Sequence, residues 1–196
     1  MISICTKNVE GVWFGVALEG KKIFATNFGP DEKRVLRGLL ESIPFNIAFE
    51  HLEKASAFAE KAFRVLKSVY DGKEVAHDFT LATEHLFAYT KKVIETALLI
   101  PVGYVAFYGG IARVAGGSPR AVGHVMALNP FAPIVPCHRV VGSDFSLRGY
   151  GGGLDVKLDL LRREKRGHAV KLEIPVKSKK LQVFPAEFVL EKAEER

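Results

Sequence analysis

The stretch from residue 107 to residue 130 leaves this chain little choice of layout. Residues 107–115 have helical spacing and run into Gly116-Gly117. Ser118-Pro119 comes next, and such a pair starts a helix. The serine side chain caps a free backbone N–H, and proline lacks the N–H that has no partner at the first helical position. Asn129-Pro130 closes this second helix near Leu128, because the residue before a proline is pushed out of the helical region. Helix, glycine turn, helix is the layout of a helix-turn-helix.

The flanking sequence divides into two styles. Residues 11–28 read as two strands about a Glu19-Gly20-Lys21 turn, with Val12, Phe14 and Val16 alternating and Ile23-Phe24-Ala25 resuming. Residues 31–40 and 57–70 read as helices, the second with Phe58, Ala62, Phe63, Leu66 and Tyr70 on one face. A small α/β domain over 1–80 follows. Beyond it the spacing predicts one long helix over 83–99, with Phe87, Val93, Ile94, Ala97 and Leu98 as core positions. Prolines at 130, 133 and 136 predict an extended segment that continues as a strand through residues 137–141. Residues 150–153 form a glycine-rich loop, and 154–163 a last helix with Leu154, Leu158 and Leu161 on one side. Residues 168–196 read as an extension with strand-like alternation at Ile174 and Val176 and a charged end.

Charge is distributed unevenly. The chain carries a net +6, and residues 1–82 hold 11 basic and 11 acidic side chains, whereas residues 83–170 hold 11 and 6. A neutral first half and a basic second half fit an acidic partner for the second half, and an ordinary basic surface fits equally well. No run of 18 apolar residues exists, so no transmembrane helix is expected. The first residues lack the apolar stretch of a signal peptide, so a soluble cytoplasmic protein is expected. Two cysteines, Cys5 and Cys137, make no disulfide framework and fit reduced thiols. Asparagine and glutamine are scarce, as in proteins from hot sources.

Cys137 stands in Pro136-Cys137-His138-Arg139. A thiolate is the nucleophilic form of cysteine, and neighbouring His and Arg stabilise it. The pair alone fits a buried structural cysteine better. Its surroundings go further. Asn129-Pro130, Pro133-Ile134-Val135-Pro136-Cys137-His138-Arg139-Val140, Tyr150-Gly151-Gly152-Gly153-Leu154, Lys157, Leu160-Leu161 and Glu164 occur in one order. Upstream lie Gly103-Tyr104, Tyr108-Gly109 and Pro119-Arg120-Ala121-Val122-Gly123. Over residues 83–166 this closely resembles the O6-alkylguanine-DNA alkyltransferases, the methylated-DNA–protein-cysteine methyltransferases.

The resemblance implies an α/β N-terminal domain, ribonuclease-H-like in the family, and a mainly α, winged-helix-like domain over 83–167 carrying the helix-turn-helix. It implies a suicide reaction on double-stranded DNA, in which O6-alkylguanine, and O4-alkylthymine with it, is flipped out and its alkyl group moves irreversibly to Cys137. His138 is the implied base, acting through a water, with Glu164 paired to it as in a Cys-His-acid triad. Tyr108 would contact the flipped nucleotide and donate a proton to the leaving guanine. Arg120 would enter the stack in place of the base, with Ala121, Gly123 and Ser143 also on the DNA side. Tyr150, Gly151, Gly152 and Val140 would line the pocket, and Asn129 and Arg139 would support it.

Several positions depart from the family pattern: Ala127, Ala132, Gly151, Phe145 and Arg148. They bear on the range of alkyl groups accepted. Cys5, His51, His77 and His85 show no ligand spacing, so no metal is expected, and no phosphate loop or dinucleotide fingerprint implies a cofactor. A monomer is expected. The competing readings are a non-enzymatic alkyltransferase-like damage sensor, which Cys137 argues against, a helix-turn-helix regulator, and a cysteine hydrolase.

Overall fold

A computed structural model describes residues 1–76 and 79–195; His77, weighed above as a metal ligand, lies outside them. The chain forms two compact units.

The first comprises Met1–Tyr70, Glu74–His85 and Pro130–Ile134. Strands β1 (Ile2–Val9), β2 (Val12–Glu19) and β3 (Lys22–Gly29) form an antiparallel meander, and the short β4 (Phe49–His51) and β5 (Thr80–Leu81) join its edges in parallel, giving the order β4-β1-β2-β3-β5. Strand β1 was not expected, and it makes the meander three-stranded. Helix α1 (Glu32–Glu41) is capped by Asp31, whose carboxylate accepts from Arg34 N. It lies so close over β2 that a Cβ on Gly15 would fall 2.5 Å from Val35 Cγ1. Phe14, the next side chain along and so on the opposite face, meets Tyr70 of α2 (Ala57–Tyr70) edge-on at 5.7 Å. With a helix on each face, Phe14 through Leu18 are all buried, and β2 loses the alternation of a half-buried strand.

Residues 130–134 turn rather than extend as the prolines suggested. Burial is the reason: Phe131 is fully buried, Thr26 N donates to Pro130 O, and Thr26 Oγ1 donates to Ala132 O. These contacts outweigh the extended preference of a proline-rich segment.

The second unit comprises Asp71–Lys73, Leu86–Asn129 and Val135–Arg196. Its elements are α3 (Ala88–Ala97), β6 (Tyr104–Phe107), α4 (Tyr108–Ala115), α5 (Pro119–Ala127), β7 (Val140–Val141), α6 (Leu154–Arg163), β8 (Leu172–Val176), β9 (Lys179–Pro185) and α7 (Glu187–Glu194). The helix expected over 83–99 is only α3; Phe87, expected in the core, is 85% exposed at its N-cap, and Leu98, at its C-cap, is 39% exposed. Of the face expected on α6, Leu161 is buried and Leu158 packs half-buried against the core, but Leu154 is exposed, and Lys157 and Leu160 are buried as well.

A mainly α unit was expected, but this one carries a four-stranded sheet, β7-β6-β9-β8. β6 pairs in parallel with β7 and antiparallel with β9, so two of the four strands come from residues beyond 168. The extension is therefore built into the unit: Val105, Val141, Leu161, Ala186, Val189 and Leu190 form one core cluster. Among the described residues no helix is long and apolar enough to cross a membrane.

Candidate active site

The turn between α4 and α5 forms as its sequence predicts. Gly116 and Gly117 both take positive φ, Tyr89 Oη donates to Gly116 O, and Ser118 Oγ accepts from Ala121 N. Helix α5 ends beside Asn129. The Asn129 amide nitrogen donates to Val135 O at 2.9 Å and to Cys137 Sγ at 3.2 Å. One amide thus ties the helix end to the residues that carry the thiol.

Cys137 opens a single 3-10 turn, Cys137–Arg139, and not the strand expected there. Cys137 N donates to Val135 O and Arg139 N to Pro136 O, so the backbone closes on itself before β7 begins. The tight turn sends consecutive side chains in different directions, as a strand would not, and three adjacent residues all face protein: Cys137, His138 and Arg139 are buried.

Burial pushes the Cys137 thiol up, while the Asn129 hydrogen bond and the Lys157 ammonium pull it back down. His138 is completely enclosed, and its Nε2 lies 2.8 Å from Glu164 Oε1. Burial lowers the His138 pKa, with Glu164 opposing, so the neutral ring is favoured. With Nε2–H donating to the carboxylate, Nδ1 is the acceptor nitrogen, and no protein group among the described residues engages it.

Glu164, at the C-cap of α6, is buried rather than solvated. Burial alone would raise its pKa. His138 and Arg139 outweigh that and hold the carboxyl at about 2. Arg139 grips both oxygens, Nε to Oε2 at 2.9 Å and Nη2 to Oε1 at 2.8 Å, and its Nη1 donates to Ile100 O at 2.6 Å. A buried carboxylate survives only when so completely satisfied.

Lys157 belongs to the same cluster. It is fully buried on α6, and its ammonium donates to Val140 O at 2.6 Å and to Arg148 O at 3.0 Å. Burial lowers its pKa to about 8, with Cys137 opposing. In the sequence this lysine stands within the ordered motifs without a role of its own. The signal was its spacing: Lys157, Leu160, Leu161 and Glu164 share one buried face.

Two tyrosines flank the thiol. Burial and the nearby Cys137 raise Tyr108 to about 12. Its ring also lies along α5, within 3.8 Å of where a Gly123 Cβ would sit. The Tyr150 hydroxyl is buried and lies close enough to Cys137 for each to influence the other's ionisation. A Cβ on Gly152 would fall 3.0 Å from the Tyr150 ring, so the glycine lets that ring lie across the loop. Val140 is buried beside them. Arg120, Ser143 and Gly151 are exposed, and Ala121 and Gly123 are half-buried on α5. Among the described residues no group of His, Cys, Asp and Glu could hold a metal ion.

This arrangement has relatives. Residues 88–166 match the 6-O-methylguanine DNA methyltransferase, DNA binding domain family. A methylated-DNA–protein-cysteine methyltransferase of Methanocaldococcus jannaschii is 31% identical over 157 residues, covering 80% of this chain and 90% of that protein. One from Pyrobaculum aerophilum is 60% identical over 65 residues, 33% of this chain. The chain spans less than half, 44%, of that relative's length. Mycobacterium tuberculosis OGT, solved in complex with DNA, superposes with a TM-score of 0.66 at 28% identity, covering 83% of this chain and 92% of that one. This chain belongs to the methylated-DNA–protein-cysteine methyltransferase family.

Proposed function

We propose that this protein repairs DNA by direct reversal, moving the alkyl group of an O6-alkylguanine, and of O4-alkylthymine, to the sulfur of Cys137 once per molecule. The observation that carries this reading is the chain of contacts from Glu164 through His138, which leaves a neutral imidazole with an open acceptor nitrogen one residue along the chain from a buried thiol. The thiol proton passes, relayed by solvent, to His138 Nδ1. The sulfur attacks the alkyl carbon, a C–S bond forms, the C–O6 bond breaks, and the purine leaves with a proton supplied by Tyr108. Tyr108 recovers its proton from His138 through solvent, so in the balance the sulfur exchanges its hydrogen for the alkyl group and the guanine gains a hydrogen. The thioether product has no good leaving group, so the molecule is spent.

A buried sulfur reaches a base only if the base leaves the duplex. The exposed Arg120 at the start of α5 is the residue proposed to fill the gap. Ala121 and Gly123 keep α5 slim enough to lie in the minor groove, with Ser143 at a phosphate. Val140 and the Tyr150-Gly151-Gly152 loop form the pocket around the extruded base. Asn129 and Arg139 position the thiol and the carboxylate. In this reading residues 1–80 are a ribonuclease-H-like domain, residues 83–167 form a winged-helix-like alkyltransferase domain whose sheet and core are completed by β8, β9 and α7, and the protein acts as a cytoplasmic monomer on double-stranded DNA.

The test is to mix the protein with duplex DNA bearing labelled O6-methylguanine and follow the label. Label should leave the DNA until the protein is exhausted, and Cys137→Ala should bind the duplex without taking it. Continued turnover after every protein molecule has reacted would point to a hydrolase instead. Binding without transfer by the unaltered protein would point to a sensor or regulator.

A further inference from the structure

The segment joining β9 to α7, Phe184-Pro185-Ala186-Glu187-Phe188, lies outside the family match, which ends at residue 166. Nevertheless it reaches the candidate site from two sides.

The first side is the backbone after Glu164. Glu187 is buried at the start of α7, and its Oε1 accepts three successive N–H groups: Arg166 at 3.1 Å, Gly167 at 2.6 Å and His168 at 3.2 Å. Backbone N–H groups converging on one point make a pocket for an anion, and here the anion is internal. Ala186 N donates to Gly103 O at 2.8 Å, and the His168 ring stacks on Tyr104 of β6 at 4.6 Å. The chain is therefore pinned within two residues of the carboxylate that holds His138.

The second side is the loop after β7. Phe145 sits there in a left-handed conformation, φ 61°, which a bulky residue adopts only when its surroundings hold it. Its ring packs edge-on against Phe184 at 5.5 Å, Phe188 at 5.3 Å and Phe107 at 5.1 Å. This loop leads to Arg148, whose carbonyl takes a hydrogen bond from the Lys157 ammonium, the same ammonium that stabilises the Cys137 thiolate.

We propose that the Phe184–Phe188 segment is a positioning element for alkyl transfer, fixing Glu164 through Glu187 and Lys157 through Phe145. The proposal rests on the reading of Cys137 as alkyl acceptor. Residues acting this way touch no substrate, yet displacement of a reacting group by an ångström costs rate.

Three variants separate positioning from bulk stability. Glu187→Ala removes the acceptor, and Glu187→Gln keeps an oxygen in its place. Phe145→Asn removes the ring while tolerating the left-handed backbone, and it serves if Glu187→Ala does not fold. All are assayed at a temperature where circular dichroism shows full folding. For Glu187→Ala and Phe145→Asn the transfer rate at saturating O6-methylguanine duplex should fall about tenfold or more, with the DNA concentration for half-saturation unchanged and Glu187→Gln close to wild type. Folded Glu187→Ala and Phe145→Asn proteins with the wild-type rate would overturn the proposal. A readout independent of transfer is the low-field proton NMR resonance of His138 Nε2–H. It should broaden or shift in Glu187→Ala and stay sharp in Glu187→Gln; an unchanged resonance in Glu187→Ala would overturn the Glu187 arm. Wild-type protein that takes no methyl would sink the reading of Cys137 and leave that resonance as the test of the brace.

Discussion

His138 Nε2 and Glu164 Oε1 lie 2.8 Å apart with 0% and 1% of their side chains exposed. Twenty-six positions separate them in sequence, and the bond forms only because the 3-10 turn and the C-cap of α6 meet. In a low-dielectric site such a pair fixes the ring's tautomer as well as its orientation.

Glu164→Gln should therefore slow transfer and destabilise the protein in a pH-dependent way. The folded carboxyl titrates at about 2 against an ordinary value of 4.5. A depressed carboxyl contributes stability that is complete above the unfolded pKa and is lost as pH falls toward the folded one. The shift corresponds to roughly 3 kcal/mol at neutral pH. Urea unfolding of wild type and variant across a pH series should show that difference shrinking between pH 4.5 and about 2.

Asn129→Ala removes the donor to both Val135 O and Cys137 Sγ. It leaves a carbonyl without that partner and the thiol without a group that lowers its pKa. A loss of about 1–2 kcal/mol is expected. The pH profile of Cys137 alkylation by iodoacetamide should move upward, read by peptide mapping; an unmoved profile would show that the amide does not tune the sulfur.

Arg120→Ala should impair repair of duplex DNA and leave reaction with the free base O6-methylguanine unchanged, because a free base needs no flipping. Equal losses on both substrates would place Arg120 in the chemistry instead. The slope of log affinity against log salt should also decrease by about 1 if Arg120 also neutralises a phosphate.

Lys157→Met keeps the length of the side chain and removes its charge. Two carbonyls, Val140 O and Arg148 O, lose their donor, and the Cys137 thiolate loses the ammonium whose charge stabilises it. Transfer should slow by about tenfold or more, measured at saturating duplex; a wild-type rate would show that the lysine serves the fold alone.

Local chemistry made much of this protein readable. Helices α2 and α5 follow from an apolar period and from Ser118-Pro119, signals contained within a few residues. Other features depend on what lies opposite. Strand β2 is covered on both faces, so its pattern runs Phe14-Gly15-Val16-Ala17-Leu18 with no alternation to read. Residues 137–139 look like a strand between apolar neighbours, but their hydrogen bonds close a turn. Glu164 has the sequence of a solvated helix end, and only the fold brings Arg139 and His138 to it. Cys137 and His138 stood out through the ordered motifs around them, whereas Phe145 stood out only as a departure. Its partners, Phe184 and Phe188, lie some forty positions further on.

The central claim is that the Cys137 sulfur receives the alkyl group. Peptide mapping by mass spectrometry after incubation with excess O6-methylguanine duplex tests it most directly. A single methyl on the Cys137 peptide, with the buried Cys5 unmodified, is the predicted result. A methyl elsewhere, or unmodified protein beside demethylated DNA, would contradict it.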